Sequence, residues 1–172
     1  MPVNLEIKVK MDSHAKVKKL LSMIGAENKG ILKQKDTYYK NKTGLLKLRE
    51  QNGTYEFIKY NRDESGKKNR WSDYDILHIQ GNKIYDFLGT VLKVETVVEK
   101  KREFWLYDNT RVHLDTVKGL GCFLELETLV IKGRKDAEKR FNEMVRILEL
   151  DMKAQILASY RNLMLKKKPS KK

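Results

Sequence analysis

The chain has 172 residues, 35% of them charged, and its formal net charge is +14. This length fits one domain with a hydrophobic core, and the charge predicts an anionic partner such as nucleic acid, a membrane surface or polyphosphate. The single cysteine, Cys122, excludes an internal disulfide. No apolar run approaches the roughly 20 residues of a membrane-spanning helix, and the first ten residues lack the apolar core of a signal peptide. We therefore predict a cytoplasmic protein that does not enter a membrane.

The first elements along the chain are a strand and a helix. Apolar and polar residues alternate over 3–10, which predicts a strand with one apolar face. Apolar residues at helical spacing over 17–24 predict a helix, with Asp12 or Ser13 as its N-cap and Gly25 as its stop. This helix needs a surface against which its apolar stripe can pack.

The middle of the chain continues with strands. Alternation of period two predicts them near 34–40, around Lys47, over 54–62 and over 70–78. Residues 84–91 then carry a second apolar stripe at helical spacing, which predicts a second helix.

The last part of the chain repeats this order. Strands are predicted over 94–107, 111–117 and 123–130, and helices over 137–148 and 156–164. Lysines crowd the final residues, which predicts that 166–172 form a disordered basic tail and that the folded domain spans 1–165.

Together these elements predict an α+β protein with about eight strands and about four helices. Most strands are joined by turns too short for parallel crossovers, so the sheet is predicted to be antiparallel. The apolar strand faces would bury the helix stripes. The charged strand faces would point either to solvent, as in an open sheet, or into the lumen of a closed barrel, which eight strands can form.

The charged strand faces carry ionisable residues in pairs two positions apart. These pairs are Glu6 with Lys8, Lys47 with Arg49, Lys100 with Arg102, and Glu125 with Glu127. In a lumen, carboxylates would suit Mg²⁺ or Mn²⁺, and lysine and arginine would neutralise phosphate oxygens. A bound metal can also activate a nucleophile for attack on phosphorus. A solvated sheet shows the same alternation, so the pattern alone leaves both arrangements open.

Several short motifs follow one another along the chain. Residues 4–8 read Asn-Leu-Glu-Ile-Lys, close to an E-x-E-x-K signature. Further motifs are at 36–39, 46–49 and 59–62, at Arg70, Ser72 and Tyr74, and at 99–102, 110–115, 119–127 and 159–160. In this order they resemble the CYTH superfamily, also called the triphosphate tunnel metalloenzymes, over roughly residues 3–165.

The resemblance implies a fold and a class of activity. The family fold is an eight-stranded antiparallel β-tunnel with helices outside, which implies a closed barrel whose charged faces line a lumen. Members include thiamine triphosphatases, inorganic triphosphatases, class IV adenylyl cyclases and messenger-RNA capping triphosphatases. The implied function is metal-dependent hydrolysis of a triphosphate substrate. The alternatives are a class IV adenylyl cyclase, which makes cyclic AMP and pyrophosphate from ATP, and a non-catalytic module that binds polyphosphate or nucleotide.

The implied partner is a triphosphate-bearing small molecule. No motif that reads DNA or RNA is present, so a specific nucleic-acid partner is not predicted. The sequence leaves the oligomeric state open between monomer and homodimer, and it does not choose the physiological substrate or the preferred metal.

The resemblance also implies a set of site residues. The carboxylates that would hold one or two Mg²⁺ or Mn²⁺ ions are Glu6, Asp115, Glu125 and Glu127. The cations that would line the phosphate path are Lys8, Lys47, Arg49, Lys59, Arg70, Lys100 and Arg102. The catalytic set would be Glu6, Lys8, Glu125 and Glu127.

The chain departs from the family signature at its first position. Asn4 stands where the signature has its first glutamate; its amide oxygen can coordinate a metal but adds no charge, so we expect a lower metal affinity or fewer ions.

His113 shares a strand face with Asp115. It could contact a ligand or support that carboxylate, and a hydrogen-bonding role is favoured over catalysis.

Overall fold

A computed structural model describes residues 3–62, 70–81 and 83–167, and for residues 3, 61–62 and 70–73 it describes the backbone only. In this part of the chain, eight antiparallel strands form a closed barrel, as predicted. The strands are β1 (Val3–Met11), β2 (Glu27–Tyr39), β3 (Leu45–Gln51), β4 (Thr54–Arg62), β5 (Arg70–Ile79), β6 (Val94–Tyr107), β7 (Thr110–Val117) and β8 (Gly121–Leu129). Their order around the barrel is β1-β5-β4-β3-β2-β6-β7-β8, and pairing of β8 with β1 closes it.

Four α-helices accompany the strands in the described residues. They are α1 (Ala15–Met23), α2 (Ile84–Val91), α3 (Arg134–Ile147) and α4 (Tyr160–Lys166), with a 3₁₀ turn at Met152–Ala154 between α3 and α4. No helix in this part of the chain is long and apolar enough to cross a membrane.

The main core lies between the outer faces of β1, β7 and β8 and helices α1 and α3. Alternate strand residues, among them Leu5, Ile7 and Leu126, are fully buried there against Leu21 of α1 and Phe141 of α3. The period of two in each strand sends these side chains outward and their neighbours into the lumen. The core therefore determines which charged side chains line the barrel interior.

Two element boundaries differ from prediction near the N-terminus. Helix α1 has His14 as its N-cap residue, without a side-chain capping bond, whereas Asp12 or Ser13 was predicted. The Ser13 hydroxyl accepts a hydrogen bond from the Ala15 N–H at 3.2 Å instead. Strand β2 begins well before the predicted residue 34, because residues 27–31 pair with β6. The prediction missed them because they are exposed and show no alternating burial.

The C-terminal helix also differs from prediction. A helix was predicted over 156–164, but the Ile156 N–H donates a 2.7 Å hydrogen bond to the Lys8 carbonyl, and Gln155 forms a bridge with Val9. The chain thus first follows β1, and α4 starts only after Ser159, whose hydroxyl accepts a bond from the Asn162 N–H. Helix α4 extends through Lys166, the first residue of the predicted tail, while residues 168–172 lie outside the described residues.

Candidate active site

The barrel encloses a cavity of about 390 Å³ to which every strand contributes side chains. Charged side chains from several strands line it together with apolar ones, which are Ile58 opposite Ile76 on β4 and β5, and Leu32 and Phe104 on β2 and β6. Tyr160, the first residue of α4, also faces this cavity. We refer to the cavity below as the lumen.

The structure brings most of the predicted site residues together. Those that line the lumen are Glu6, Lys8, Lys47, Arg49, Lys100, Arg102, Glu125 and Glu127. Across the β1–β8 pair, Glu6 lies opposite Glu127 and Lys8 opposite Glu125. Two ionisable pairs from distant parts of the sequence thus meet on adjacent strands.

One predicted cation, Lys59, does not join this set. Lys59 is exposed, and its neighbours Ile58 and Tyr60 line the lumen instead. Because side chains alternate along β4, Lys59 lies on the outer face of the barrel, so its assignment to the phosphate path was wrong. The side chain of Arg70 lies outside the described residues.

A first buried ion cluster is centred on Asp36 of β2, which we call the Asp36 anchor. Lys47 Nζ donates to Asp36 Oδ2 at 2.7 Å, and Arg49 Nε and Nη2 donate to the two carboxylate oxygens at 2.8 Å. Burial alone would raise the pKa of Asp36, but Arg49 and Lys47 outweigh it and hold this pKa far below its usual range. The sequence motif included Asp36 but assigned it no role. The role depends on the strand register, which places Asp36 directly across from Arg49 on the neighbouring strand.

A second cluster, the Asp115 anchor, has the same plan on β6 and β7. Lys100 Nζ donates to Asp115 at 3.0 Å, and Arg102 donates through Nε at 2.7 Å and Nη2 at 2.6 Å. The Tyr160 hydroxyl donates a further bond at 3.0 Å. Although burial opposes ionisation, Arg102 and Lys100 lower the pKa of Asp115, so it is a carboxylate.

This arrangement corrects the prediction that Asp115 is a metal ligand. Its side chain is 0% exposed, it is not among the residues that line the lumen, and both its oxygens accept bonds from Lys100, Arg102 or Tyr160. Asp115 instead holds two cations in place. The sequence could not distinguish these roles, because a metal ligand and an ion-pair partner both require an inward carboxylate.

Together the two anchors hold cations in the lumen, where a bound anion could contact them. Each consists of a Lys-x-Arg pair on one strand and an aspartate on the next, so the two anchors place four basic side chains around two carboxylates. Held rigidly in a poorly solvated cavity, such cations lose little entropy when they bind phosphate oxygens.

A third cluster contains His113, Glu125 and Glu127, and we call it the His–Glu–Glu group. One ligand atom from each residue lies within 4.8 Å of the others, close enough to share one metal ion. Glu125 also lies 3.3 Å from Lys8 Nζ and pairs with Arg102. Burial would raise the pKa of Glu125, but Lys8 and Arg102 hold it well below its usual range, so the carboxylate is ionised. Unlike Asp115, Glu125 lines the lumen, where an ion could reach it.

Unpartnered buried atoms show that this part of the lumen fits a divalent ion. Among the described residues, Asn4 Oδ1 and His113 Nδ1 are buried and have no hydrogen-bond partner. Burial, reinforced by the charge of Arg102, lowers the pKa of His113 and favours the neutral imidazole that can bind a metal. Glu6, which is also buried, faces the lumen across from Glu127. Carboxylate, amide and imidazole donors are all metal ligands.

Arg111 is a lumen cation that the sequence analysis did not assign. It lies opposite Glu127 across the β7–β8 pair and lines the cavity. Its signal was the alternation of β7, which places Arg111, His113 and Asp115 on the same face. Tyr38, Tyr60 and Tyr74 were likewise not assigned, and they line the lumen as well.

The protonation of Lys47 should change when a triphosphate binds in the lumen. Burial and the charge of Arg49 lower its pKa to about 7, against the opposing effect of Asp36. A bound triphosphate favours the ammonium form and raises this pKa, so at about pH 8 the complex binds more protons than the free protein. We expect proton uptake on triphosphate binding at about pH 8 and little from Lys47 at about pH 5.5, where it is already charged.

Calorimetric titration in buffers of different ionisation enthalpy measures this uptake. Replacing Lys47 by Gln should remove this contribution, whereas the matched Lys59→Gln change on the outer face should leave it unchanged. Equal uptake in both variants would contradict the assignment, and comparison between them cancels the protonation of the triphosphate itself.

Known proteins are similar to this chain in sequence and in fold. The sequence profile described as the CYTH domain matches residues 3–160. A protein of Methanocaldococcus jannaschii named "Putative adenylate cyclase" is 27% identical over 158 residues, covering 86% of this chain and 88% of that protein. The fold is similar to that of the PH1012 protein of Pyrococcus horikoshii, with a TM-score of 0.80, 22% identity, and coverage of 93% of this chain and 98% of that one.

A plant structure is similar over almost its whole length. It is a Hippeastrum protein described as a "putative adenylyl cyclase" with a dominant triphosphatase activity. The TM-score is 0.66 at 11% identity, with coverage of 99% of this chain and 98% of the Hippeastrum chain. At such identities the two solved structures establish a common fold and nothing finer.

Proposed function

This chain belongs to the CYTH domain family, and from that premise we propose that it hydrolyses the terminal phosphoryl group of a triphosphate bound in the lumen. The observation that carries the proposal is the meeting of two kinds of cluster in one cavity. The Asp36 and Asp115 anchors present cations, and the His–Glu–Glu group presents metal ligands. Phosphoryl transfer requires positioning and charge stabilisation of this kind.

The anchors would bind the triphosphate through its non-bridging oxygens. Arg49 and Arg102 each use two nitrogens on their aspartate and retain further N–H groups that can donate to phosphate. Because the aspartates fix these cations beforehand, little reorganisation is needed as charge shifts during the reaction. Lys8, held between Glu125 and the Ala158 carbonyl, is a further donor in the lumen.

A divalent ion such as Mg²⁺ or Mn²⁺ would be held by Glu125 and Glu127, with Glu6 beside them, and would supply Lewis-acid activation of phosphate and of water. In the overall reaction, the water oxygen forms a bond to the terminal phosphorus and the anhydride bond breaks. The bridging oxygen keeps the electron pair and leaves with the diphosphate, while the water protons pass to solvent.

The apolar side chains in the lumen favour a substrate that has an organic group. Leu32, Ile58, Ile76 and Phe104 would leave apolar surface against water if the ligand were inorganic triphosphate alone. A base or another flat heterocycle would cover this surface, with Tyr60 or Tyr74 available for ring contacts. Nucleoside triphosphates and thiamine triphosphate are therefore preferred over tripolyphosphate in this proposal.

The same apolar side chains support a second candidate, adenylyl cyclase activity. In that reaction the ribose hydroxyl attacks the α-phosphorus of ATP and pyrophosphate leaves. The name of the Methanocaldococcus jannaschii relative points in this direction. We place hydrolysis first because the sequence shows no separate motif that would recognise adenine, whereas hydrolysis needs only a metal-activated water beside the terminal phosphate.

Product analysis separates the candidates. The purified protein is incubated with tripolyphosphate, thiamine triphosphate, ATP or GTP, each with Mg²⁺ or Mn²⁺, and all products are resolved. Hydrolysis releases orthophosphate and diphosphate products, and the organic substrates should be cleaved faster than tripolyphosphate. Cyclic AMP with pyrophosphate would instead support the cyclase. Tight binding of every triphosphate without any product would refute both and leave a non-catalytic binding module.

A further inference from the structure

We propose that His113 is itself a ligand of the metal site, through Nδ1, and makes it a mixed nitrogen and oxygen site. Such a site binds Mn²⁺, Co²⁺ or Zn²⁺ in preference to Mg²⁺. The inference concerns the site on which the proposed function rests, but it is a statement about ligands and can hold whether or not the protein turns over a triphosphate.

The position of the imidazole is the first support. His113 is 6% exposed and lines the lumen. It lies opposite Glu125 on β8, one of its ring nitrogens lies within 4.8 Å of a ligand atom of each glutamate, and its Nδ1 is 3.6 Å from Glu127 Oε1. Phe104 contacts the ring with centroids 5.3 Å apart at an interplanar angle of 58°. The ring is therefore packed in place with one nitrogen toward the two glutamates.

The state of Nδ1 is the second, independent support. This atom is buried and has no hydrogen-bond partner among the described residues. Glu127 Oε1 is 3.6 Å away, longer than a hydrogen bond. Buried polar atoms without partners are rare and costly, and an ion between Nδ1 and the carboxylates would give this nitrogen a partner. Asn4 Oδ1, a second buried atom without a partner, lines the same lumen.

The Asp115 anchor explains why the imidazole takes this place. Asp115 lies two residues further along β7 on the same face, but its oxygens are already held by Lys100, Arg102 and Tyr160. That leaves His113 as the β7 side chain that completes the group with Glu125 and Glu127.

The donor set then determines the choice of ion. Mg²⁺ is a hard cation that prefers oxygen ligands in near-ideal octahedral geometry. Imidazole nitrogen suits first-row transition ions, whose affinity for such sites rises from Mn²⁺ through Co²⁺. Replacing one carboxylate by a neutral imidazole also removes a negative charge, which weakens Mg²⁺ binding more than that of ions able to accept nitrogen.

Pulsed electron paramagnetic resonance of Mn²⁺ bound to the full chain tests the ligand directly, with no substrate present. We expect nitrogen hyperfine coupling from a directly bound imidazole, and the pattern should change when the protein is made with ¹⁵N-labelled histidine. This measurement needs no variant, so it does not depend on how a substitution folds. Coupling should be lost in His113→Asn and kept in His78→Asn, because His78 is an exposed histidine beside Glu56.

Competition dialysis of Co²⁺ against Mg²⁺ provides the second test. His113→Asp, which restores an all-oxygen set, should lower the ratio of Co²⁺ to Mg²⁺ affinity about tenfold or more, the scale on which groups around a metal alter its affinity. Absence of nitrogen coupling, an unchanged ratio, or no binding of Mn²⁺, Co²⁺ or Zn²⁺ would overturn the inference. Nitrogen coupling without triphosphate turnover would uphold it and refute the proposed hydrolysis, and turnover without nitrogen coupling would do the reverse.

Discussion

Turnover of the preferred triphosphate is expected to fall by on the order of 10²–10³ when Glu127 is replaced by Gln, the range seen when one group that stabilises transition-state charge is lost. The variant keeps the size of the side chain and removes one carboxylate charge from the His–Glu–Glu group. Steady-state phosphate release, measured with saturating Mg²⁺ or Mn²⁺, checks this result.

Binding should respond differently from turnover in this variant. Its Asp36 and Asp115 anchors remain complete, so triphosphate affinity should be kept or increased, since one negative charge leaves the lumen. The matched control is Glu143→Gln, on the exposed side of α3, which should behave as the unmodified protein. Wild-type turnover in Glu127→Gln would show that the His–Glu–Glu group takes no part in the reaction.

Replacing Asp115 by Asn is expected to lower the free energy of unfolding by about 3–5 kcal/mol, the usual cost of removing one partner of a buried ion pair. The change leaves Lys100 and Arg102 in a buried, cation-rich environment without their counter-charge. It also weakens the bond from the Tyr160 hydroxyl that helps hold the start of α4 against the barrel. Urea unfolding followed by circular dichroism measures the loss.

The same variant separates an anchor from a metal ligand. Because Asp115 belongs to the cation anchor, Mn²⁺ affinity in Asp115→Asn should stay close to that of the unmodified protein, and bound triphosphate should restore part of the lost stability by supplying negative charge to the two cations. Wild-type stability combined with a large loss of Mn²⁺ affinity would instead make Asp115 a metal ligand. Asp36→Asn is a matched comparison, because it removes the carboxylate of the other anchor.

Much of the barrel could be predicted because each strand alternates with period two. Leu5 and Ile7 had to be buried, so Glu6 and Lys8 had to lie on the other face, and the same reasoning applied to Glu125 and Glu127. The predicted element boundaries were wrong where the alternation of apolar and polar residues was weak. Residues 27–31 of β2 are exposed and carry no such pattern. Residues 156–158 read as helix but instead follow β1, since the Ile156 N–H bonds to the Lys8 carbonyl.

The sequence by itself determined most of the strands and the side chains that share each strand face, because these depend on local alternation. The family resemblance, and not the alternation, implied that the charged faces line a lumen. Only the tertiary structure decided which inward residues meet. It placed Asp36 with Lys47 and Arg49, enclosed Asp115 between Lys100 and Arg102, and left His113 beside the glutamates. The physical reason is that barrel closure sets the register between strands far apart in sequence, and that register determines whether an inward carboxylate meets a cation first or remains able to bind a metal.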